Sequence, residues 1–303
     1  MSKDKLLPKI RVGLAGWSYR DWLGVVYPRP KPRGFHEAEF LAHYFDAIEL
    51  NVTFYRPATA AMAHDWMARV AHNADFLFTA KLWREFTHSR DLSAENESLF
   101  RPAMEALRDD GKLGALLAQF PWSFKNTKES LAYLDALITR FRDFPLVVEV
   151  RHSSWDKPEV YSWLAERCVG FCNIDQPIIG RSLKPGEHLT APVGYVRLHG
   201  RNYNEWFSEG DEGRPSAHRY DYLYRADELE PWVERIRHIA KPEAITFVIT
   251  NNHYLGKGVV NALELIHMLT KRPVAAPPNL VEHYPELAPI TTTREITPSL
   301  FPQ

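Results

Sequence analysis

The sequence contains little cysteine. Only Cys168 and Cys172 occur in 303 residues. They lie four positions apart in an apparent strand, roughly 13 Å along it, which is too far for a disulfide bond with each other. We expect both to be buried small apolar groups in a reducing, cytoplasmic protein.

The chain also lacks long apolar runs and an excess of charge of one sign. No stretch approaches the roughly 20 apolar residues of a membrane span, and the first residues contain no apolar core of signal-peptide length. The 37 Lys and Arg balance 38 Asp and Glu, which leaves a net charge of −1 and no general attraction to nucleic acid or anionic membrane. We expect a small-molecule ligand and no membrane partner. Nucleic acid remains an alternative through a local basic patch.

The order of apolar runs and helical patterns predicts the fold. Short apolar runs that are typical of buried strands occur at about residues 10–16, 47–51, 76–81, 114–119, 146–150, 169–175, 194–200 and 245–250. Helical patterns occur at about residues 35–44, 59–70, 93–108, 126–141, 159–167, 227–239 and 259–270. This alternation predicts an α/β fold, a (β/α)8 TIM barrel over residues 1–270. A doubly wound sheet is the alternative, but it normally has fewer strands, and the first turn lacks Gly-x-Gly-x-x-Gly.

Two irregular segments and one helix start complete the pattern. Residues 271–303 carry seven prolines without a clear period, which predicts a Pro-rich C-terminal tail, wrapped over the surface or disordered. The long irregular stretch at 201–224, with Gly210 and Gly213, could be a mobile lid. Asn126, with Glu129 three residues later, predicts a capping box that opens the helix there.

The fifth strand shows why a functional site is expected. Its apolar residues end in Glu149 and Arg151, whose side chains point the same way because side chains alternate along a strand. Buried charge is costly, so the pair is either a structural ion pair or part of a ligand site at the mouth of the sheet. Other strands end in the same way. The polar residues at the carboxyl ends of seven of the eight runs are Glu49, Asn51, Lys81, Gln119, Glu149, Arg151, Asp175, Arg197, His199, Asn251 and Asn252. A barrel keeps its active site at this end, so the pattern favours an enzyme.

The same residues carry a resemblance to a family. The segments are Gly16–Tyr19, Glu49–Tyr55, Lys81 with Thr87 and His88, Leu113–Pro121, Glu149–Trp155, Tyr195–Gly200 and Asn251–Asn252. Through them the chain resembles the DUF72 (YecE-like) proteins over about residues 11–270, with the tail after Lys271 as an extension. The resemblance implies a TIM barrel but no reaction, because the activity of that family is not established.

The candidate catalytic residues are the charged ones. Glu49 and Glu149 lie across the barrel mouth and could act as general acid and base, with His199 or Lys81 assisting and Asp175 as a third carboxylate. Alternatively, each carboxylate only neutralises a neighbouring cation. Lys81 could also be a Schiff-base lysine, although its local sequence does not single it out.

The candidate binding residues are cationic, amide and aromatic. Arg151, Arg197, Asn251 and Asn252 could position an anionic substrate, since arginine forks suit phosphate and carboxylate. Further predicted contacts are Trp17, Tyr19, Asn51, Tyr55, His88, Gln119, His152 and Trp155. Loop aromatics, including Trp83, Tyr203 and Trp206, could stack on a sugar or a base, or pack as rim core. Gly256 and Gly258 flank Lys257 at the start of the last helix and could bind phosphate or form a plain turn.

The sequence leaves a divalent metal site possible. His88, His152 and His199, together with the carboxylates, could supply ligands for a divalent metal. No ligand spacing is visible, and the neighbouring cations work against metal binding, so no cofactor is predicted.

Three hypotheses follow. The first is a hydrolase or isomerase for a small polar, anionic substrate, such as a sugar phosphate or nucleotide fragment; no dinucleotide or flavin fingerprint supports a redox enzyme. The second is a nucleic-acid-binding, endonuclease IV-like, metal-dependent phosphodiesterase with a basic groove. The third is a non-catalytic binding barrel, with a fully paired charge cluster and no open pocket.

Overall fold

Eight parallel strands form a closed barrel in the computed structural model, which describes residues 9–206 and 217–293. The strands are β1 (Lys9–Ala15), β2 (Ala47–Leu50), β3 (Leu77–Lys81), β4 (Leu113–Gln119), β5 (Leu146–Glu149), β6 (Gly170–Asp175), β7 (Val193–Leu198) and β8 (Ile245–Thr250). They follow one another in chain order, and β1 pairs with β8 to close the ring. The predicted (β/α)8 barrel is confirmed.

Helices connect the strands outside the barrel. The α-helices are α1 (Glu37–Leu41), α2 (Val52–Tyr55), α3 (Ala60–Arg69), α4 (Ala94–Asp109), α5 (Lys128–Arg140), α6 (Pro158–Glu166), α7 (Ala226–Ile239), α8 (Lys257–Thr270) and α9 (Pro278–His283). Short 3-10 turns occur at Arg20–Trp22, Ser153–Trp155, Ala217–Tyr220, Tyr254–Gly256 and Pro285–Ile290, and a π-helical turn at Glu85–Ser89. Within the described residues, no helix is long and apolar enough to cross a membrane.

Large side chains fill the interior of the barrel. Phe247 on β8 points across the barrel toward β4, where Gly114 leaves room for it; a Cβ on Gly114 would lie 2.2 Å from the Phe247 ring. In the same interior, the hydroxyl of Tyr195 is 2.7 Å from that of Thr79 and donates to Glu49 at 2.9 Å. The interior is therefore a packed core, and on the described strands the fully buried charged side chains lie toward the carboxyl ends.

Two local predictions are wrong. The N-cap of α5 is Thr127, whose side chain accepts a hydrogen bond from the Ser130 N–H, while Asn126 bonds to Ser154 instead. Cys168 is exposed in the turn before β6 with a φ of 54°, and only Cys172 is buried. Both errors concern residues at the edge of an element, where sequence patterns place boundaries poorly.

The first part of the Pro-rich segment is folded. The strand β9 (Val274–Ala276) pairs in parallel with β10 (Thr291–Thr293), and α9 lies between them. Leu280 and Leu287 are completely buried, and the Tyr284 hydroxyl donates to the carbonyl of Leu255 at 2.8 Å. Prolines break this segment into pieces too short to show a period. Gly210 and Gly213, named for the lid, lie outside the described residues.

Candidate active site

Arg197 is the centre of a buried cluster of charged side chains at the barrel mouth. Its Nη2 donates to Glu49 at 2.7 Å, and its Nη1 donates to Glu149 at 2.5 Å and to Gln119 at 3.0 Å. Arg151 donates to the second oxygen of Glu149 through Nε and Nη2, at 3.0 and 2.9 Å. Glu49, Glu149, Arg151 and Arg197 are named here the ion-pair cluster. Two carboxylates and two guanidiniums balance its charge.

The environment of Glu149 fixes its charge. Burial works to raise its pKa, but the positive charges of Arg197 and Arg151 outweigh burial and hold the pKa well below its usual value. In the same way, the two carboxylates hold the pKa of Arg197 well above its usual value, against the effect of burial. Glu49 and Glu149 are both without solvent exposure. Glu149 stays ionised, and both carboxylates accept hydrogen bonds from Arg197, so this geometry favours a structural role for the predicted carboxylate pair.

His199 borders the ion-pair cluster as a neutral ring. Burial lowers its pKa to about 3. The amide of Asn251 lies 3.0 Å from Nδ1, and Nε2 is 3.2 Å from Glu149 without the alignment of a hydrogen bond. His199 therefore contributes shape and polarity at neutral pH rather than charge.

A cavity of about 500 Å³ opens beside the cluster, at the carboxyl ends of β1, β2, β3 and β8. Six residues predicted for the site line it: Trp17, Tyr19, Asn51, Tyr55, Lys81 and Asn251. The other lining residues were not predicted for the site, and among them are Arg56, Trp66, Tyr220 and His253. Lys81 and Arg56 are the basic residues of this lining, and no carboxylate occurs among its described residues. The wall is therefore cationic where it meets solvent.

Lys81 joins the ion-pair cluster to the cavity. Its Nζ lies 4.0 Å from Glu49 and 5.5 Å from the centre of the Phe54 ring. Burial lowers its pKa to about 7, and the charge of Arg197 acts in the same direction. Lys81 can therefore gain or lose a proton near neutral pH, which an ordinary lysine does not do.

Polar atoms of the cavity wall lack protein partners. The Tyr19 ring stacks on His253, with centroids 4.2 Å apart, and Tyr220 packs against the same imidazole. Burial lowers the pKa of His253 to about 3, so this ring is neutral. The Nδ1 of His253 and the Oδ1 of Asn51 are buried without a hydrogen-bond partner. Buried polar atoms of this kind normally find partners, so both atoms point to a polar ligand.

Asp175 and Trp155 lie away from the cavity. Asp175 is fully buried and accepts hydrogen bonds from Arg201, Tyr224 and Trp232, at 2.6 to 2.8 Å. Trp155 is also fully buried; its indole N–H donates to the Phe124 carbonyl at 2.7 Å, and its ring stacks on the Phe124 ring. Both positions suit packing rather than contact with substrate.

The remaining predicted residues surround the site without lining the cavity. His152 lies 2.8 Å from the Ser154 hydroxyl, and His88 lies 2.9 Å from the Thr87 hydroxyl. Burial, followed by the charge of Arg151, lowers the pKa of His88 to about 4. Asn252 donates to Tyr222 and to Asn261. These contacts hold the loops around the barrel mouth.

Gly256 and Gly258 are both buried at the start of α8. Gly256 has a φ of +77°, and a Cβ there would lie 2.8 Å from Val26. This conformation and contact explain the glycine by backbone geometry and packing, without phosphate. Gly256 is the N-cap of α8, and its own backbone is in the left-handed region.

The described residues contain no group of three or more His, Cys, Asp or Glu that could hold a metal ion. The nearest candidates, Glu49 and Glu149, already accept hydrogen bonds from Arg197. Guanidiniums at these oxygens oppose a divalent cation, so the donor set at the mouth does not fit a metal.

Comparisons with known proteins agree with this architecture. The family model described as "Protein of unknown function DUF72" matches residues 11–283, so the match includes α9 and continues beyond residue 270. The UPF0759 protein YunF of Bacillus subtilis (strain 168) is 27% identical over 282 residues, which cover 86% of this chain and 94% of that protein. A DUF72 family protein from Thermotoga maritima is 31% identical, with a TM-score of 0.73 over 86% of this chain and 99% of that one. One from Enterococcus faecalis is 26% identical, with a TM-score of 0.73 over 86% and 95%. The resemblance found in the sequence is confirmed, and the chain belongs to the DUF72 family.

Proposed function

We propose that this protein is an enzyme that binds a small polar, anionic substrate in the cavity and acts on it through Lys81. The observation that carries the proposal is the placement of a lysine whose side chain is only 12% exposed, with a pKa lowered to about 7, in the wall of an open cavity at the catalytic end of the barrel. Mutual pairing is enough to explain the buried charges of the ion-pair cluster. It does not explain why a cavity opens beside them.

The lining supports an anionic substrate. Lys81 lies deep in the cavity, Arg56 is exposed, and no described lining residue is acidic. An anion bound there gains from both charges, and Arg56 could hold a phosphate or carboxylate with its fork. A volume of about 500 Å³ falls within the range of small-molecule sites and suits a sugar phosphate or a nucleotide fragment.

The aromatic residues support a substrate with a flat or ring-shaped body. Trp17, Tyr19 and Tyr55 line the cavity, and Tyr55 is exposed toward solvent. Such rings stack on the apolar face of a sugar while its hydroxyl groups bond elsewhere. The unpartnered atoms of Asn51 and His253 are suitable partners for those hydroxyls.

The reaction class that fits is proton transfer, in a hydrolase or an isomerase. A group that titrates near the working pH is the most effective general acid–base catalyst, and Lys81 meets this condition better than Glu149 does. Glu49, 4.0 Å from Nζ, would stabilise the ammonium form during the reaction.

The test is binding of phosphorylated ligands to the whole protein. Inorganic phosphate, glycerol 3-phosphate, ribose 5-phosphate and AMP would be compared by thermal shift and calorimetry. We expect at least one to bind, and Arg56→Met and Lys81→Met to weaken it about tenfold or more, while Lys128→Met on the exposed start of α5 has no effect. Absence of binding at millimolar concentrations, or equal affinity in all variants, would contradict the proposal.

The first alternative predicts a different result in the same experiment, and the second is addressed by the cavity. A nucleic-acid-binding protein would prefer an oligonucleotide and lose affinity steeply with salt. A non-catalytic barrel was expected to lack an open pocket, and an open cavity is present.

A further inference from the structure

We propose that Lys81 is an imine-forming lysine and that the substrate of this cavity carries an aldehyde or ketone group. The inference rests on the proposed function and deepens it, because it names the reactive group of the substrate. The geometry around Nζ carries it.

The end of β3 holds Lys81 in a fixed place. The hydroxyl of Thr53, fully buried at the start of α2, lies 2.7 Å from the Lys81 carbonyl and 2.9 Å from that of Leu50. This contact ties the end of β3 to the end of β2. The side chain then passes the Phe54 ring and ends in the cavity wall.

The surroundings of Nζ leave its lone pair available. A lysine held by a hydrogen-bonded carboxylate keeps its proton, but Glu49 is 4.0 Å away, beyond hydrogen-bond distance. Both oxygens of Glu49 instead accept shorter bonds, from Arg197 at 2.7 Å and from Tyr195 at 2.9 Å. The carboxylate nearest to Lys81 is therefore already satisfied by other donors.

Burial and the charges of two arginines lower the pKa of Lys81, while the charges of Glu49 and Glu149 act to raise it. Burial, followed by Arg197, outweighs the carboxylates and lowers the pKa to about 7, so a substantial fraction of Lys81 is neutral at pH 7. A surface lysine with a pKa of about 10.4 is neutral in only about 4 molecules of 10,000 at that pH. The neutral fraction of Lys81 is thus larger by orders of magnitude. The charged and titratable groups facing Nζ are Glu49, His88, Glu149, Arg151, Arg197 and His253.

The step is balanced without a cofactor. Neutral Nζ adds to the carbonyl carbon and forms a C–N bond, which gives a carbinolamine after the proton on nitrogen moves to oxygen. The carbonyl oxygen then leaves as water with both hydrogens of the amine, and a C=N bond remains. Once protonated, this imine withdraws electrons from the neighbouring carbon, which eases loss of a proton there. No electron donor or acceptor is consumed.

The cavity also restricts the rest of the substrate. Arg56 provides a partner for an anionic end, and the unpartnered Oδ1 of Asn51 and Nδ1 of His253 provide partners for hydroxyl groups. The chemistry that meets all three features is a hydroxylated aldehyde or ketone with a phosphate or carboxylate.

The experiment traps the imine in the whole, unmodified chain. The protein is incubated at pH 7 with glycolaldehyde, which is small enough to enter without recognition, and with cyanoborohydride, which reduces an imine to a stable amine. Peptide mapping then gives the labelling rate at each lysine, with Lys128 as the matched surface control in the same molecule. We expect Lys81 to be labelled at least tenfold faster than Lys128, with half of its limiting rate near pH 7. Labelling of Lys81 at or below the rate of Lys128 overturns the inference.

A second measurement separates this inference from the proposed function. Glycerol 3-phosphate has the anionic group but no carbonyl, so it should bind in the cavity and slow the labelling of Lys81 at least fivefold without affecting Lys128. Protection of a rapidly labelled Lys81 supports both proposals. Binding of glycerol 3-phosphate with slow labelling in its absence overturns only the imine. Rapid labelling without protection or binding contradicts the anionic substrate. Lys81→Arg, which keeps the positive charge, should fold, bind the anion and remain unlabelled at residue 81.

Discussion

Replacing Arg197 by methionine should destabilise the barrel more than any replacement of a surface arginine. Methionine has a similar length but offers no charge to Glu49 and Glu149, which are both fully buried. Two hydrogen bonds between charged groups are lost, each worth about 1.5–3 kcal/mol. Removing one partner of a buried ion pair costs about 3–5 kcal/mol in other proteins, which agrees with the sum for the two lost hydrogen bonds. We therefore expect a loss of about 3–5 kcal/mol at pH 7.

The assay is urea unfolding at several pH values. With a slope of about 3 kcal/mol per molar urea, the midpoint should fall by about 1–2 M. The pKa of Glu149 is lowered in the folded protein, so its stabilising contribution is present above the unfolded pKa of about 4.3 and disappears as the pH falls through the folded value. The difference between wild type and variant should therefore shrink in acid.

The control is Arg237→Met, whose side chain is 42% exposed and pairs with Glu234 at 2.6 Å. Exposed pairs contribute about 0–1 kcal/mol, so this variant should be nearly as stable as the wild type. If Arg197→Met cost less than about 1 kcal/mol, or if its effect did not shrink as the pH fell further and further below about 4.3, the reasoning about the ion-pair cluster would be refuted.

Three further predictions concern other parts of the molecule. Trp155→Ala should cost about 3–5 kcal/mol in urea unfolding and leave ligand affinity in the cavity unchanged, since Trp155 is a core residue; weaker binding at unchanged stability would contradict this. Gly256→Ala should destabilise by about 1–3 kcal/mol, because its φ is positive and a Cβ would crowd Val26, whereas Gly111→Ala, also at positive φ but in open space, should cost about 1 kcal/mol; equal losses would argue against the packing contact. Burial lowers the pKa of His253 to about 3, so stability should fall as the pH drops from about 6.5 toward 3, and His253→Gln should flatten that dependence by up to about 1.4 kcal/mol per pH unit; an unchanged slope would refute the buried neutral ring.

The barrel could be predicted because the same pattern, an apolar run followed by a helical pattern, repeats along the chain. Eight apolar runs, separated by helical patterns, leave few alternatives, and β8 at Ile245–Thr250 was predicted to the residue. The pairing of Glu149 with Arg151 also followed, since it depends only on alternation along one strand. Local features of this kind can be worked out from the chain itself.

The division of the mouth into a buried cluster and a cavity could not be predicted. Polar residues at strand ends indicate a site, but whether Glu49 faces solvent or lies beneath Lys81 depends on how all eight strands tilt and pack. Tyr220 and His253 enter the cavity from loops without any pattern. His253 had one available signal: it directly follows the predicted pair Asn251 and Asn252. The lowered pKa of Lys81 has no local signal at all, because it arises from burial and from Arg197, 116 positions away in the sequence.

Residues of the C-terminal segment can alter the shape of the cavity although they do not line it. Tyr284 bonds to Leu255, and Leu280 packs near Gly256, so residues after the last barrel strand support the turn that directly follows His253. A chain that stopped at residue 270 would keep all eight strands but lose the outer support of that turn. Substitutions in this segment could therefore shift the position of His253, and with it ligand preference, while every residue of the cavity wall stayed the same. Relatives with identical cavity walls need not share a substrate, and comparing their active-site residues alone would miss the reason.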